Sequence, residues 1–343
     1  MKKIGILGHF GGKEEFFDGQ TVKTKILYDE LLKTGSFKIY RADTYYVRKN
    51  PLKFVYQTVR CLVVCESVIV LLSMPGRKII FPFLYLWKKF FKIRLYNDVI
   101  GNNLAKYATN EKKAKHLRCF EKNWLEVDKA IKDLEAIGVH NGEILPNIKR
   151  IEAVTEFGEK SLERPYKFCT FSRVMPEKGI LDAIEAINRV NHESGEVVAT
   201  LDIYGPIDEG YKEEFVKLQK TFDNTIRYCG IVDYRDSVNV LKDYYVLLFP
   251  TLFETEGFPG TVLDAFFAGI PVFATDKSAN GEVVKDGYAG FVYPNGNMLN
   301  LYDCVKWSLN NDSEIIKMKK NCLLEAEKYK ADKLIKIIVD AIS

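Results

Sequence analysis

The sequence predicts an α/β protein built as two Rossmann-like, doubly wound domains that face each other across an interdomain cleft. Three observations predict it. The chain has 343 residues, more than one hydrophobic core usually serves. Short apolar runs alternate with amphipathic stretches along its whole length, the pattern of parallel sheets covered on both faces. That alternation restarts near residue 165. The expected division is an N-terminal domain over 1–160, a second domain over 161–326 and a last amphipathic helix within 327–343.

The elements follow in order. KIGILG (3–8) reads as a buried strand leading into a glycine-rich loop, and QTVKTKILYDELLK (20–33) as an amphipathic helix stopped at Gly35. VIVLL (68–72), KIRLY (92–96) and GEILP (142–146) read as further strands with helical patterns between them. In the second half, strands are expected at 167–172, 199–205, 226–230, 246–250, 271–274 and 290–294. Helices are expected at 181–190, 213–222 and 238–244, and another starting near Thr261. Ligands of such sheets bind beyond the carboxyl ends of the strands, so two facing sheets would share one cleft.

Composition narrows the class. With 47% hydrophobic and 28% charged residues the chain is an ordinary globular protein. Its seven cysteines are an odd number without a CxxC pair, and they read as reduced thiols of a cytoplasmic protein. The four histidines lack metal-ligand spacing, and no metal is expected. Residues 1–100 hold 18 basic and 8 acidic residues, a net of +10, so 101–343 carry −6 within the total of +4. The basic half includes an aromatic-rich segment, 77–94, with Lys88, Lys89, Lys92 and Arg94 beside Trp87, Phe90 and Phe91. It is too short and too charged to span a bilayer. It suits either peripheral contact with a membrane or a core helix with a solvated basic side. No nucleic-acid partner is expected. A nicotinamide enzyme is disfavoured, because GHFGGK after the first strand lacks the GxGxxG spacing.

The loops after the strands carry the chemistry. In FSRVMPEKG, Arg173 and Lys178 lie five residues apart just ahead of a helix. Two cations at a helix N-terminus, with its dipole and free N–H groups, favour a doubly charged anion such as a diphosphate. A second loop runs ETEGFPGTVLDAFFAGIP, from Glu254 to Pro271. Thr261 is suited to cap its helix and Asp264 to complete a capping box. Glu256 stands ahead of the helix, where no cap calls for a carboxylate but one would accept hydrogen bonds from sugar hydroxyls. Gly257 and Gly260 allow a ligand close to the backbone.

Here the sequence resembles the retaining family 4 glycosyltransferases. Glu256 and Asp264, with seven residues between them, look like that family's E-x7-E signature with Asp in place of the second Glu. Arg173 and Lys178 match its Arg/Lys pair. Gly205 in LDIYGP and Gly230 in YCGIV fall where it has pocket glycines, SANGEVVKDGYAGFVYP (278–294) resembles its following segment, and LPN (145–147) resembles the end of its first domain. The likeness is densest from about 165 to 295.

The resemblance implies a GT-B fold and a set of roles. Arg173 and Lys178 would hold the donor diphosphate as leaving group, and Glu256 the donor sugar. Phe258, Pro259, Gly260 and Thr261 would lie along the donor. Asp264 would hold the ribose, Val232 would meet the base through its backbone, and Gly205 would line the nucleotide pocket. Gly19 resembles the second glycine of a loop that closes over the phosphates, with Asp18 in place of the first; Gly11 and Gly12 are the rival alignment. His9 and Asp98, at strand ends of the first domain, are candidates for the acceptor side. The last helix would return to the first domain. The donor would be a nucleotide sugar, UDP-linked first, used without metal or further cofactor. The acceptor would be a glycan or a polyprenyl-diphosphate-linked glycan at the inner face of the cell membrane, in capsule, exopolysaccharide or lipopolysaccharide synthesis. A nucleotide-sugar 2-epimerase of the same architecture, which would need clustered carboxylates and a histidine, and a non-catalytic sugar-nucleotide binder are the alternatives.

Overall fold

The computed structural model describes the chain except residues 15, 17, 18, 102, 150, 151, 255 and 295–297. Asp18, aligned above with a glycine of the resembled loop, thus lies outside the described residues, as does Thr255. The chain divides into two compact units, Met1–Arg150 with Tyr329–Ser343, and Ile151–Lys328.

The first unit runs β1 (Lys2–Gly8), α1 (Gly19–Lys33), β2 (Phe37–Asp43), α2 (Tyr46–Lys49), α3 (Pro51–Val64), β3 (Ser67–Val70), α4 (Met74–Phe90), β4 (Arg94–Asp98), α5 (Glu111–Arg118), β5 (Lys122–Leu125), α6 (Asp128–Glu135) and β6 (Gly142–Ile144). The second runs β7 (Tyr166–Phe171), α7 (Ile180–Ser194), β8 (Ala199–Tyr204), α8 (Lys212–Gln219), β9 (Ile226–Gly230), α9 (Ser237–Leu241), β10 (Val246–Phe249), α10 (Gly260–Phe267), β11 (Val272–Thr275), α11 (Asn280–Val283), β12 (Gly290–Tyr293), α12 (Met298–Ser308) and α13 (Asp312–Ala326). The last helix, α14 (Ala331–Ile342), belongs to the first unit.

Both sheets are six-stranded and parallel, in the orders β2-β1-β3-β4-β5-β6 and β12-β11-β10-β7-β8-β9. Their central strands are continuous apolar runs because both faces are covered: all four residues of β3, β10 and β11 are buried. In the first unit the chain leaves β1 for the edge strand β2, then crosses back to β3 on the other side. In the second it builds outward through β8 and β9, then returns to lay β10 against β7. Each reversal is a topological switch, beyond whose strand ends such sheets bind ligands.

The helix α14 carries Leu334, Ile335, Ile338 and Ile342 on one face, and they pack into the core formed by Ile4, Ile6, Ile26, Leu27 and Leu31. Tyr96 donates its hydroxyl to Ala341 O at 2.6 Å, and Arg94 donates to Ile342 O at 2.9 Å.

Two strands lay outside the sequence reading. FKIYRAD (37–43) is the edge strand β2, with Lys38 and Arg41 exposed. KNWL (122–125) is β5, whose Asn123 is wholly buried but hydrogen-bonded to Asn97, Leu117 O and Asn141. The strand expected at 92–96 is shifted two residues, to Arg94–Asp98.

Candidate functional site

The switch of the second unit lies between β7 and β10, and the two loops that leave those strands hold the three residues on which the sequence reading turns. Arg173 and Lys178 follow β7; Glu256 follows β10. Lys178 Nζ and Glu256 Oε2 form an ion pair whose side chains are only 12% and 17% exposed. The Lys178 ammonium also faces the Phe253 and Phe249 rings, 4.9 and 5.6 Å from their centres. Arg173 is the more accessible cation: its side chain is 58% exposed and lies 3.8 Å from Asp208 Oδ2.

Backbone contacts fix the loops. Leu252 N donates to Glu177 O at 2.7 Å. Gly179 caps α7 in the left-handed region at φ 67°, and a Cβ there would lie 2.1 Å from Pro250 O. The strand-end loops can therefore meet only if this residue is glycine. Gly205 has the same kind of role under Arg173: at φ 130° its Cβ would fall 1.8 Å from Ser172 O. A third loop, after β11, holds the Glu256 backbone, because Ser278 Oγ donates to Glu256 O at 2.6 Å. Ser278 does so from φ 57°, uncommon for a residue with a Cβ. Sequence reasoning had no signal for Ser278 beyond its place in the SANGE stretch.

The result is a cavity of about 300 Å³ lined by Arg173, Lys178, Glu256, Pro259, Gly260 and Thr261, with Phe171, Ser172, Met175, Phe249 and Phe253 completing the wall. It offers two cations, one carboxylate, apolar rings and a helix N-terminus. The cap differs from expectation. Helix α10 starts at Gly260 with Pro259 at the cap position, so Thr261 lies inside the first turn and the Thr261–Asp264 capping box does not form. A proline suits this boundary, since its fixed φ meets the helix and its missing N–H leaves no orphan donor. Thr261 Oγ1 is buried without a hydrogen-bond partner among the described residues. Asp264 is buried farther along the helix, and Phe258 is buried in the loop ahead of it; neither lines the cavity. Gly205 and Val232 follow β8 and β9, successive strands along the same sheet edge, and also lie outside the lining.

The other proposed residues belong to the first unit. Gly19 opens α1 with open space around it, while Gly11 and Gly12 sit in the loop after β1, where Phe10 and Gly12 donate their N–H groups to Asp43 at 2.9 Å. His9 Nδ1 is 2.6 Å from Thr21 Oγ1 and edge-on to Phe16.

Asp98 ends β4 inside a buried charge cluster. Lys23 Nζ lies 2.8 Å from Asp98 Oδ1 and 3.2 Å from Glu126 Oε1, and it donates to Val99 O. Glu126 also accepts Gly101 N–H at 3.1 Å, and Arg77 donates to Asn103 at 2.7 Å. Burial raises the Asp98 carboxyl above the usual carboxylate range against the pull of Lys23. Burial works against the Lys23 charge, but Asp98 and Glu126 more than offset it, so Lys23 stays protonated. Burial draws the Arg77 guanidinium down to about 10 against the opposing pull of Glu126. This set of two cations and two carboxylates escaped the sequence reading because its members lie up to 103 residues apart.

Among the described residues no group of three or more His, Cys, Asp or Glu is placed to hold a metal ion, and no helix is long and apolar enough to cross a membrane.

Comparison with known proteins bears on the second unit first. Residues 165–311 match the family model described as Glycosyl transferases group 1. The amylovoran biosynthesis glycosyltransferase AmsK of Erwinia amylovora is 22% identical over 140 residues, 40% of this chain and 34% of that protein. The uncharacterized glycosyltransferase MJ1069 of Methanocaldococcus jannaschii is 24% identical over 180 residues, 48% of this chain and 44% of that protein. These matches thus span less than half the length of either curated relative. Among solved structures, Anabaena HepE in complex with UDP superposes over 100% of this chain and 99% of its own, with a TM-score of 0.73 at 12% identity. The two-domain α/β fold is thereby shared.

Proposed function

We propose that the chain is a glycosyltransferase that moves a sugar from a nucleotide diphosphate sugar, UDP-linked first, to a glycan or lipid-linked glycan acceptor with retention of anomeric configuration. The observation that carries this reading is the convergence of Arg173, Lys178 and Glu256 on one cavity at the β7/β10 switch. Breaking the anomeric C–O bond places negative charge on the departing diphosphate and positive charge on the sugar. Arg173 meets the diphosphate from the accessible side. Lys178, paired with Glu256, meets the phosphate beside Arg173, and the Glu256 carboxylate, kept in place by that pairing, accepts hydrogen bonds from the sugar hydroxyls. A positioned donor acting on developing charge is worth roughly 3–4 kcal/mol. Arg173 and Lys178 supply that charge in a reaction that runs without a metal. Attack from the departing phosphate's own face, with that phosphate taking the acceptor proton, accounts for retention.

Support comes from the group 1 model over 165–311, from the complexes of HepE with UDP and with UDP-glucose, and from AmsK, named for polysaccharide biosynthesis. Thermal shift and nucleotide release across UDP-, GDP- and ADP-sugars test the donor. The expected outcome is a shift with UDP-sugars and release undiminished by EDTA, and an NMR assignment of the product's anomeric centre reads the stereochemistry. No shift and no release with any nucleotide sugar would overturn the reading.

A further inference from the structure

The face of the first unit covered by α3 and α4 carries apolar side chains on two opposite sides of the same helices. In α3, Thr58, Cys61 and Leu62 are buried, yet Leu52, Tyr56 and Val63 are exposed, with Val59 half-buried between them. In α4, Ile80, Phe81 and Leu84 are buried while Ile79, Phe83, Leu86 and Phe90 are exposed. Both outer stripes follow the same 4-3-4 spacing, one face of a helix. A helix that is apolar all round belongs inside a core or against lipid. Isolated exposed apolar residues need no explanation, but clustered ones mark an interaction surface. Of the nineteen large hydrophobic side chains exposed among the described residues, nine fall between Leu52 and Phe91.

The topology brings the two stripes to one side of the sheet. Helix α3 connects β2 to β3 and α4 connects β3 to β4, both progressing in the same direction along the order β2-β1-β3-β4. Right-handed crossovers in the same direction lie on the same face. Helix α1, which connects β1 to β2 in the opposite direction, lies on the other face, where α14 packs against it.

Charge selects the occupant. Residues 48–94 contain ten Lys or Arg and a single acidic residue, Glu66. Arg77 is buried and Lys88 pairs with Glu121, but Lys53, Arg60, Lys78, Lys89 and Lys92 are exposed and form no ion pair among the described residues. A concavity of about 480 Å³ between β2 and α3 adds Lys38 and Arg41 beside Lys53, Arg60 and the Tyr40 and Tyr56 rings. A second copy would bring this positive charge against itself. A bilayer with anionic headgroups takes both components at once: side chains into the acyl boundary and cations onto phosphates.

We propose that the α3–α4 face docks on an anionic lipid bilayer, as a monotopic surface of two helices. The 77–94 segment singled out in the sequence is only half of it. The inference goes beyond the transferase reading and stands without it, since vesicle binding needs neither donor nor turnover.

The test is co-sedimentation of the full chain with vesicles of phosphatidylcholine alone and of phosphatidylcholine mixed with phosphatidylglycerol. Binding is expected only to the mixed vesicles and should weaken with salt. The double variant K53A/R60A should bind roughly tenfold more weakly or worse. Y56S/V63S on α3 and F83S/L86S on α4 should each lose at least as much, with unfolding midpoints and far-ultraviolet circular dichroism like the parent's. Should a serine variant fold poorly, K53A/R60A carries the test, because both side chains are exposed. The proposal is overturned if the parent ignores mixed vesicles at low salt, if it binds neutral vesicles equally well, or if the α3 variant binds like the parent. A concentration-dependent dimer abolished by the same substitutions would overturn it too, by making the face a contact between copies.

Discussion

Removing the charge of Glu256 tests the donor site most directly. In Glu256→Gln the side chain keeps its size and loses its pairing with Lys178. The ion pair is largely but not wholly buried, so breaking it should cost about 1–3 kcal/mol of stability, less than the 3–5 of a fully buried pair. The loop should stay in place, because Ser278 holds the Glu256 backbone carbonyl and Leu252 N remains bonded to Glu177 O. The catalytic loss is then a loss of charge rather than of structure, and on the order of 10²–10³ in kcat is expected for one group acting on developing charge. Lys178→Ala should lose a similar factor. Because the two side chains orient each other, the double variant K178A/E256Q should fall little below the worse single variant. The assay is nucleotide release at saturating UDP-sugar, with urea unfolding of every variant. Single variants within a few-fold of the parent's turnover, or losses that multiply in the double variant, would refute the view that the pair works as a unit.

Three further outcomes follow from packing and burial. Gly205→Ala should destabilise the second unit by about 2 kcal/mol or more and slow turnover by displacing Arg173, since the new Cβ overlaps Ser172 O; an unchanged urea midpoint and rate would contradict this. Lys23→Met leaves Asp98 and Glu126 buried without their shared cation and should cost about 3–5 kcal/mol in urea unfolding, partly recovered by adding Asp98→Asn. Lys319 is wholly buried in the second unit, donates to Tyr244 O at 2.8 Å, and is drawn by burial from 10.5 down to about 7. The unfolded chain therefore binds a proton there that the native chain lacks between about pH 7 and 10. This contribution to stability rises with pH across that window, at up to ~1.4 kcal/mol per unit, and is lost as pH falls through 7. The stability difference between parent and Lys319→Met should follow that slope; a pH-independent difference would refute it.

What the sequence disclosed, and what it hid, follows from how far apart the contributing residues lie. Apolar runs such as VIV in β3 and VLLF in β10 announce themselves because burial on both faces needs no other residue to explain it. Strand β2 was missed because an edge strand carries Lys38 and Arg41 where a central one would carry Val. Strand β5 was missed because Asn123 replaces apolar burial with hydrogen bonds to Asn97 and Asn141, partners 26 and 18 residues away. The same rule divides the candidate site. Arg173 and Lys178 stand together at a strand end, so their spacing was readable. The pairing of Lys178 with Glu256 spans 78 residues and becomes intelligible only once β10 is known to lie beside β7. Helix α4 is the sharpest case. Its apolar residues fill two opposite stripes, and periodicity alone does not say which one meets the sheet. With Ile80, Phe81 and Leu84 turned to the core, the remaining stripe of Ile79, Phe83, Leu86 and Phe90 stays exposed, with Phe83 beside Trp87 on the same helix. The buried stripe makes α4 a core helix, and its opposite side presents exposed apolar residues beside Lys78 and Lys89.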